Sequence, residues 1–168
     1  MTYNALAICV ASIEQGQSPK EKSPSGRRDN FIHVSTRGLF TCAVSDAGYV
    51  NCFGDNTDGA APEYRESTTA EDFVTVTAGE THTCAYTTSG DVQCWGRNNK
   101  GQAPPDHHAT EGAWLSVSAG SAHSCAVSEW GYVQCWGDDE EGQTQKGRER
   151  TPGDRSTFTQ VSCGDAHT

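Results

Sequence analysis

Six of the eight cysteines stand in three pairs, each ten residues apart: Cys42 and Cys52, Cys84 and Cys94, Cys125 and Cys135. Thiols placed this way can join as disulfides, hold a soft metal, or stay reduced and pack as small apolar side chains. His82 and His123 each stand two residues before the first cysteine of a pair, which adds a nitrogen ligand to the metal alternative. Zinc sites, however, are usually built from closely spaced pairs such as Cys-x-x-Cys, and this chain has none. The histidine also recurs at the same repeat position in copies two and three, as a structural residue does. No metal or cofactor is expected, and the loop pair His107-His108 reads as solvated. No Gly-x-Ser-x-Gly elbow, phosphate loop or His-Glu-x-x-His motif occurs, so the expectation is a chain that is not an enzyme.

The elements that must position these cysteines come in copies. Phe31, Phe73, Trp114 and Phe158 open four similar stretches, which divide the chain into 31–72, 73–113, 114–157 and a partial 158–168. A fixed period near 40 residues means stacked or radial repeats. Residues 73–77 alternate apolar and polar, as a half-buried strand does. Residues 82–87 and 91–95 read as two more strands, joined by the three-residue loop Thr88-Ser89-Gly90, whose glycine suits a left-handed position. Asp46-Ala47-Gly48 and Glu129-Trp130-Gly131 play the same part in the other copies. Three or four short antiparallel strands per copy make one blade of a β-propeller, and a lone small sheet must be covered by its neighbours.

That hairpin loop sets the register. Counting outward from Thr88-Ser89-Gly90 brings Tyr86 opposite Val92 and Cys84 opposite Cys94, and the same count pairs Cys42 with Cys52 and Cys125 with Cys135. Alternation puts these pairs at non-hydrogen-bonded positions, where side chains come closest, so cross-strand disulfides are feasible. Bridges would indicate an oxidising place, extracellular or at the cell surface; reduced, buried cysteines would fit the cytoplasm. Cys9 and Cys163 are left over. Cys163 falls where other copies have Ala78 and Ala119 and reads as a packed small residue.

The net charge of −10 is uneven. In residues 1–30, Lys20, Lys22, Arg27 and Arg28 against Glu14, Glu21 and Asp29 give +1, so the repeats carry −11. An acidic body repels phosphate backbones, which argues against nucleic acid and favours a basic protein partner. No apolar run approaches the ~20 residues of a membrane span. Residues 1–30 hold a short apolar stretch, Ala5 to Ser12, that reads as a minimal signal-peptide core or a remnant strand, followed by a flexible linker.

Val76-Thr-Ala-Gly-Glu-Thr-His-Thr-Cys84, Val117-Ser-Ala-Gly-Ser-Ala-His-Ser-Cys125, the two Val-Gln-Cys-Trp-Gly runs (92–96 and 133–137) and the following Gly-Gln resemble the repeat of the regulator of chromosome condensation family. The likeness covers residues 31–168 and extends to the wider superfamily that holds the beta-lactamase inhibitory protein II type of propeller. Paired Cys with Cys-Trp-Gly resembles bacterial extracellular members and the ectodomains of crinkly-type plant receptor kinases. The resemblance implies an all-β propeller of about seven blades used as a protein-binding platform. This chain supplies about three blades and the start of a fourth, so it is expected to be a fragment, to pair with another chain, or to remain an open arc. Copy one departs from the pattern: Arg37 replaces Gly79 and Gly120, Phe40 replaces His82 and His123, Phe53 replaces Trp95 and Trp136, and Ala60 replaces Gln102 and Gln143.

Trp95 and Trp136 are expected to pack within or between blades. The loop after each third strand keeps its place and changes its chemistry: Asp55-Asn56-Thr57-Asp58, Arg97-Asn98-Asn99-Lys100 and Asp138-Asp139-Glu140-Glu141. Such loops on a rigid scaffold suit recognition, and these residues are the candidate partner-binding positions. The functional expectation is a non-enzymatic module for protein recognition. The alternative implied by the resemblance is guanine-nucleotide exchange on a small GTPase.

Overall fold

The computed structural model describes residues 30–69, 71–105, 112–144 and 158–168. The N-terminal segment before Asn30, Cys9 and His107-His108 lie outside these residues. All regular structure among the described residues is strand. β1 (Phe31–Arg37), β2 (Phe40–Ser45) and β3 (Val50–Gly54) form one antiparallel sheet in that order. β4 (Phe73–Ala78), β5 (His82–Thr87) and β6 (Val92–Gly96) form the second, and β7 (Trp114–Ala119), β8 (His123–Ser128) and β9 (Val133–Gly137) the third. The chain is all-β and builds three consecutive blades of an incomplete propeller.

The register is the one counted from the hairpin loop: Tyr86 faces Val92, Ala85 faces Gln93 and Cys84 faces Cys94. Gly90 closes the loop at φ +83°, a left-handed conformation that costs a residue with a Cβ and suits glycine. Each first strand slips register once, between Phe31 and His33, Phe73 and Thr75, and Trp114 and Ser116. The slip leaves one residue of the strand unpaired and turned outward. Ile32, Val74 and Leu115 occupy that place, which is why three aliphatic side chains are exposed.

Among the described residues, the first two blades show a trace of a fourth strand. Val50 and Arg65 form an isolated bridge, and the Cys52 and Cys94 N–H groups donate to the carbonyls of Pro62 and Pro104 at 3.1 and 3.3 Å. Proline has no N–H to extend such a ladder.

Packing runs between sheets. One core joins Cys42, Val44 and Val50 of the first sheet to Phe73, Val76 and Trp95 of the second. Another joins Cys84, Val92 and Cys94 of the second to Trp114 and Val117 of the third. The middle strands are buried along their whole length in the first and third sheets. Val92 to Trp95 of β6 are buried, whereas Val133 to Trp136 of β9 are half-exposed, because no further complete sheet among the described residues covers them.

Candidate functional site

The three expected cysteine pairs are disulfides: Cys42–Cys52, Cys84–Cys94 and Cys125–Cys135, with Cα atoms 4.0 to 4.1 Å apart. That spacing is the close approach of a non-hydrogen-bonded pair. Each bridge pins the second strand of a blade to the third.

The same second strand carries a hydroxyl just before its cysteine, in Thr41, Thr83 and Ser124, and Thr168 stands at the matching place of the partial copy. Three of these hydroxyls are the junction between blades. Thr83 Oγ1 donates to the Ala60 carbonyl of the preceding copy at 2.8 Å, Ser124 Oγ to Gln102 O at 3.0 Å, and Thr168 Oγ1 to Gln143 O at 3.3 Å. The indole N–H of Trp95 donates to the same Ala60 carbonyl at 2.9 Å, and that of Trp136 to Gln102 O at 3.1 Å. One carbonyl thus takes two donors from the next blade. His82 Nε2 lies 2.8 Å from Ser124 Oγ, and His123 Nε2 lies 3.1 Å from Thr168 Oγ1. Deeper in, the backbone N–H groups of Ala78, Ala119 and Cys163 donate to Ser35 Oγ, Thr77 Oγ1 and Ser118 Oγ. First strands are so latched side by side.

Both histidines are fully buried. Burial, reinforced by the nearby charges of His123 and Arg37, lowers the His82 pKa to about 4 against the pull of the His123 backbone. His123 is lowered too, first by burial. Both are therefore neutral at pH 7 and act as hydrogen-bonding parts of the junction.

Copy one follows its own rule at the inner strands. A Cβ on Gly79 would lie 2.7 Å from the Gly120 carbonyl, so only glycine allows that approach; in copy one it is Gly38 that meets a backbone carbonyl, Glu80 O, at the same 2.7 Å. Arg37 is thereby released to reach over to the partial copy, where it pairs with Asp165 and donates to Cys163 O at 3.5 Å. Glu80 stands 3.9 Å away on its other side.

The loops after β3, β6 and β9 share one frame. Asn56, Asn98 and Asp139 each turn a side-chain oxygen inward to accept a backbone N–H five residues on, at 2.9, 2.9 and 2.8 Å. These three hold the loop through one side-chain oxygen each while remaining exposed. Five of the remaining positions are bridged between blades: Arg97 Nε lies 3.4 Å from Asp58, and Lys100 Nζ lies 3.1 Å from Asp138 and 2.5 Å from Glu140. Glu140, then Asp138, raises the Lys100 pKa. Asp55 is lowered by hydrogen bonds from Thr57. Asn99, Glu140 and Glu141 complete an exposed row beside them. Sequence reading missed the frame-holding role of Asn56, Asn98 and Asp139, although an amide or acid at that position in every copy was visible.

Among the described residues, one group has metal-ligand character: His123, Cys125 and Cys163, with ligand atoms within 4.8 Å of one another. The Cys125 sulfur is spent in its disulfide, and Thr168 Oγ1 sits 3.4 Å from it and 3.1 Å from His123 Nε2, where an ion would have to be. The group is a filled junction, not an open coordination shell.

The profile of the regulator of chromosome condensation (RCC1) repeat matches residues 73–102 and 114–143. Among solved structures, the chain is similar to Prp20p from Saccharomyces cerevisiae, with TM-score 0.65 and 17% identity over 83% of this chain and 43% of that one. It is similar to the ectodomain of the Arabidopsis thaliana receptor kinase ACR4, with TM-score 0.56 and 21% identity over 83% and 44%, and to human WBSCR16, with TM-score 0.54 and 20% identity over 73% and 42%. It spans less than half the length of each. No curated protein sequence matches it. At these identities the likeness is one of fold, and the profile match shows regulator of chromosome condensation repeats at residues 73–102 and 114–143.

Proposed function

We propose that this chain is a non-enzymatic protein-binding module that works in an oxidising place, outside the cell or at its surface, and recognises a basic partner through the loops after β3, β6 and β9. One observation carries the reading. Three loops have the same backbone frame, held by Asn56, Asn98 and Asp139, while two of them are acidic to different degrees and the middle one is basic. A fixed frame with variable display is how rigid scaffolds carry recognition. The Arg97–Asp58 and Lys100–Asp138 pairs add little stability at the surface but align neighbouring loops. The six acids of these loops outnumber Arg97 and Lys100, so the row stays net negative. Prp20p has been characterised with Gsp1p and histones; for this chain the net negative charge and three disulfides argue for a binder over an exchange factor.

A displayed peptide library selected on the chain tests the reading. Enriched peptides should be rich in Lys and Arg. They should lose at least tenfold in affinity when Asp55, Glu140 and Glu141 become Ser, and keep it when Ser89 and Trp130 on the opposite hairpin loops are changed. Peptides that ignore the acidic substitutions would sink the proposal.

A further inference from the structure

The junction between the third blade and the partial copy differs from the other two in one atom that can react. Ala78 and Ala119 occupy the corresponding place at the earlier junctions; here it is Cys163, buried and unbridged. Its backbone N–H bonds Ser118 Oγ at 2.9 Å and its thiol donates to Ser118 O at 3.2 Å, so the side chain is held in place. Its sulfur lies within 4.8 Å of both the Cys125 sulfur and a ring nitrogen of His123. Cys125 is bridged to Cys135, and Cys135 differs from Cys52 and Cys94 in being half-exposed. It lines a cavity of about 420 Å³ together with Glu141, Phe158 and Val161.

The geometry points to an internal thiol–disulfide exchange in which Cys163 takes over Cys125 and moves the free thiol to Cys135, making Cys135 a modification site for small disulfides and electrophiles. Cys163 gives its proton, by way of the Thr168 hydroxyl, to Nε2 of the neutral His123, 3.1 Å from that hydroxyl. The Cys163 thiolate attacks Cys125 Sγ as the thiolate is the reactive form. The Cys125–Cys163 bond forms, the Cys125–Cys135 bond breaks, and the Cys135 thiolate takes up the proton. No electrons are gained or lost. A low-molecular-weight disulfide entering the cavity would then be attacked by Cys135, forming a mixed disulfide and releasing one thiol. The hairpin bridge of the third blade is replaced by a covalent bond between copies, and a protected thiol becomes an accessible one. Burial raises the Cys163 pKa, so the step is slow near neutrality and quickens at higher pH.

Non-reducing tryptic mapping tests it, in a Cys9→Ser background that removes the other odd thiol. The folded protein is incubated at pH 8.5 with iodoacetamide, then digested. Exchange predicts a peptide of residues 101–146 joined to 156–168, alkylated on Cys135, increasing over hours. In Cys163→Ala, which restores the residue of the other two junctions, Cys135 labelling should fall at least tenfold. Absence of the joined peptide, or equal Cys135 labelling in Cys163→Ala, would overturn the proposal.

Discussion

His82 Nε2 lies 2.8 Å from Ser124 Oγ, one repeat further along the chain, and both groups are buried. The contact turns the period of the sequence into a physical joint. It also makes the joint sensitive to protons, because an imidazolium there has lost its water and faces the nearby Arg37 charge.

The His82 pKa is about 4 in the folded chain, below the ordinary value of 6.5. The unfolded chain therefore binds more protons between those values, so folded stability is full above pH 6.5 and declines as pH falls toward 4. The span corresponds to up to about 3 kcal/mol. His82→Phe, the residue type of Phe40 in copy one, should flatten the dependence of Tm on pH over that window. Thermal melts from pH 7.5 to 4 check this; parallel curves for both proteins would refute it.

The hairpin disulfides should carry a large part of the stability of such small sheets. Cys84→Ser with Cys94→Ser removes one bridge and should lower unfolding free energy by roughly 2–3 kcal/mol. Denaturant melts under oxidising conditions measure it, and a reducing agent should erase the difference between variant and parent.

Trp95→Phe copies the residue of copy one at Phe53. It keeps most of the apolar packing but removes the N–H to Ala60 O, a carbonyl that still receives Thr83 Oγ1. The expected loss is about 1 kcal/mol from the hydrogen bond, plus the packing shortfall of a smaller ring. Trp136→Phe should cost less, since Trp136 is half-exposed.

Gly96 ends β6 at φ +101°, and a Cβ there would lie 2.7 Å from the Thr81 carbonyl. Gly96→Ala should destabilise by about 1–3 kcal/mol from backbone strain alone. Gly101, also at positive φ but with open space around its Cβ position, should respond less to the same change. Comparing the two by chemical denaturation separates clash from conformation.

Much of this was legible beforehand. The repeat period, the hairpin loops and the cysteine register follow from local rules, because strand alternation and a three-residue turn fix which residues face each other. Trp95 and Trp136 were readable as blade packing. The loops 55–58, 97–100 and 138–141 were readable as a set, but not that Asn56, Asn98 and Asp139 tie each loop to its own backbone. That choice depends on which backbone N–H lies within reach five residues on, and only the folded loop shows it.

Sequence by itself therefore determined the unit: its strands, its turns, and the partner of each paired cysteine, all set by neighbours a few residues apart. The tertiary structure alone decided how units meet. Thr83, Ser124 and Thr168 find carbonyls 22 to 25 residues back, and Arg37 finds Asp165 at a separation of 128. Those distances are closed by sheet stacking, whose geometry depends on the burial of whole faces and not on any short run of residues.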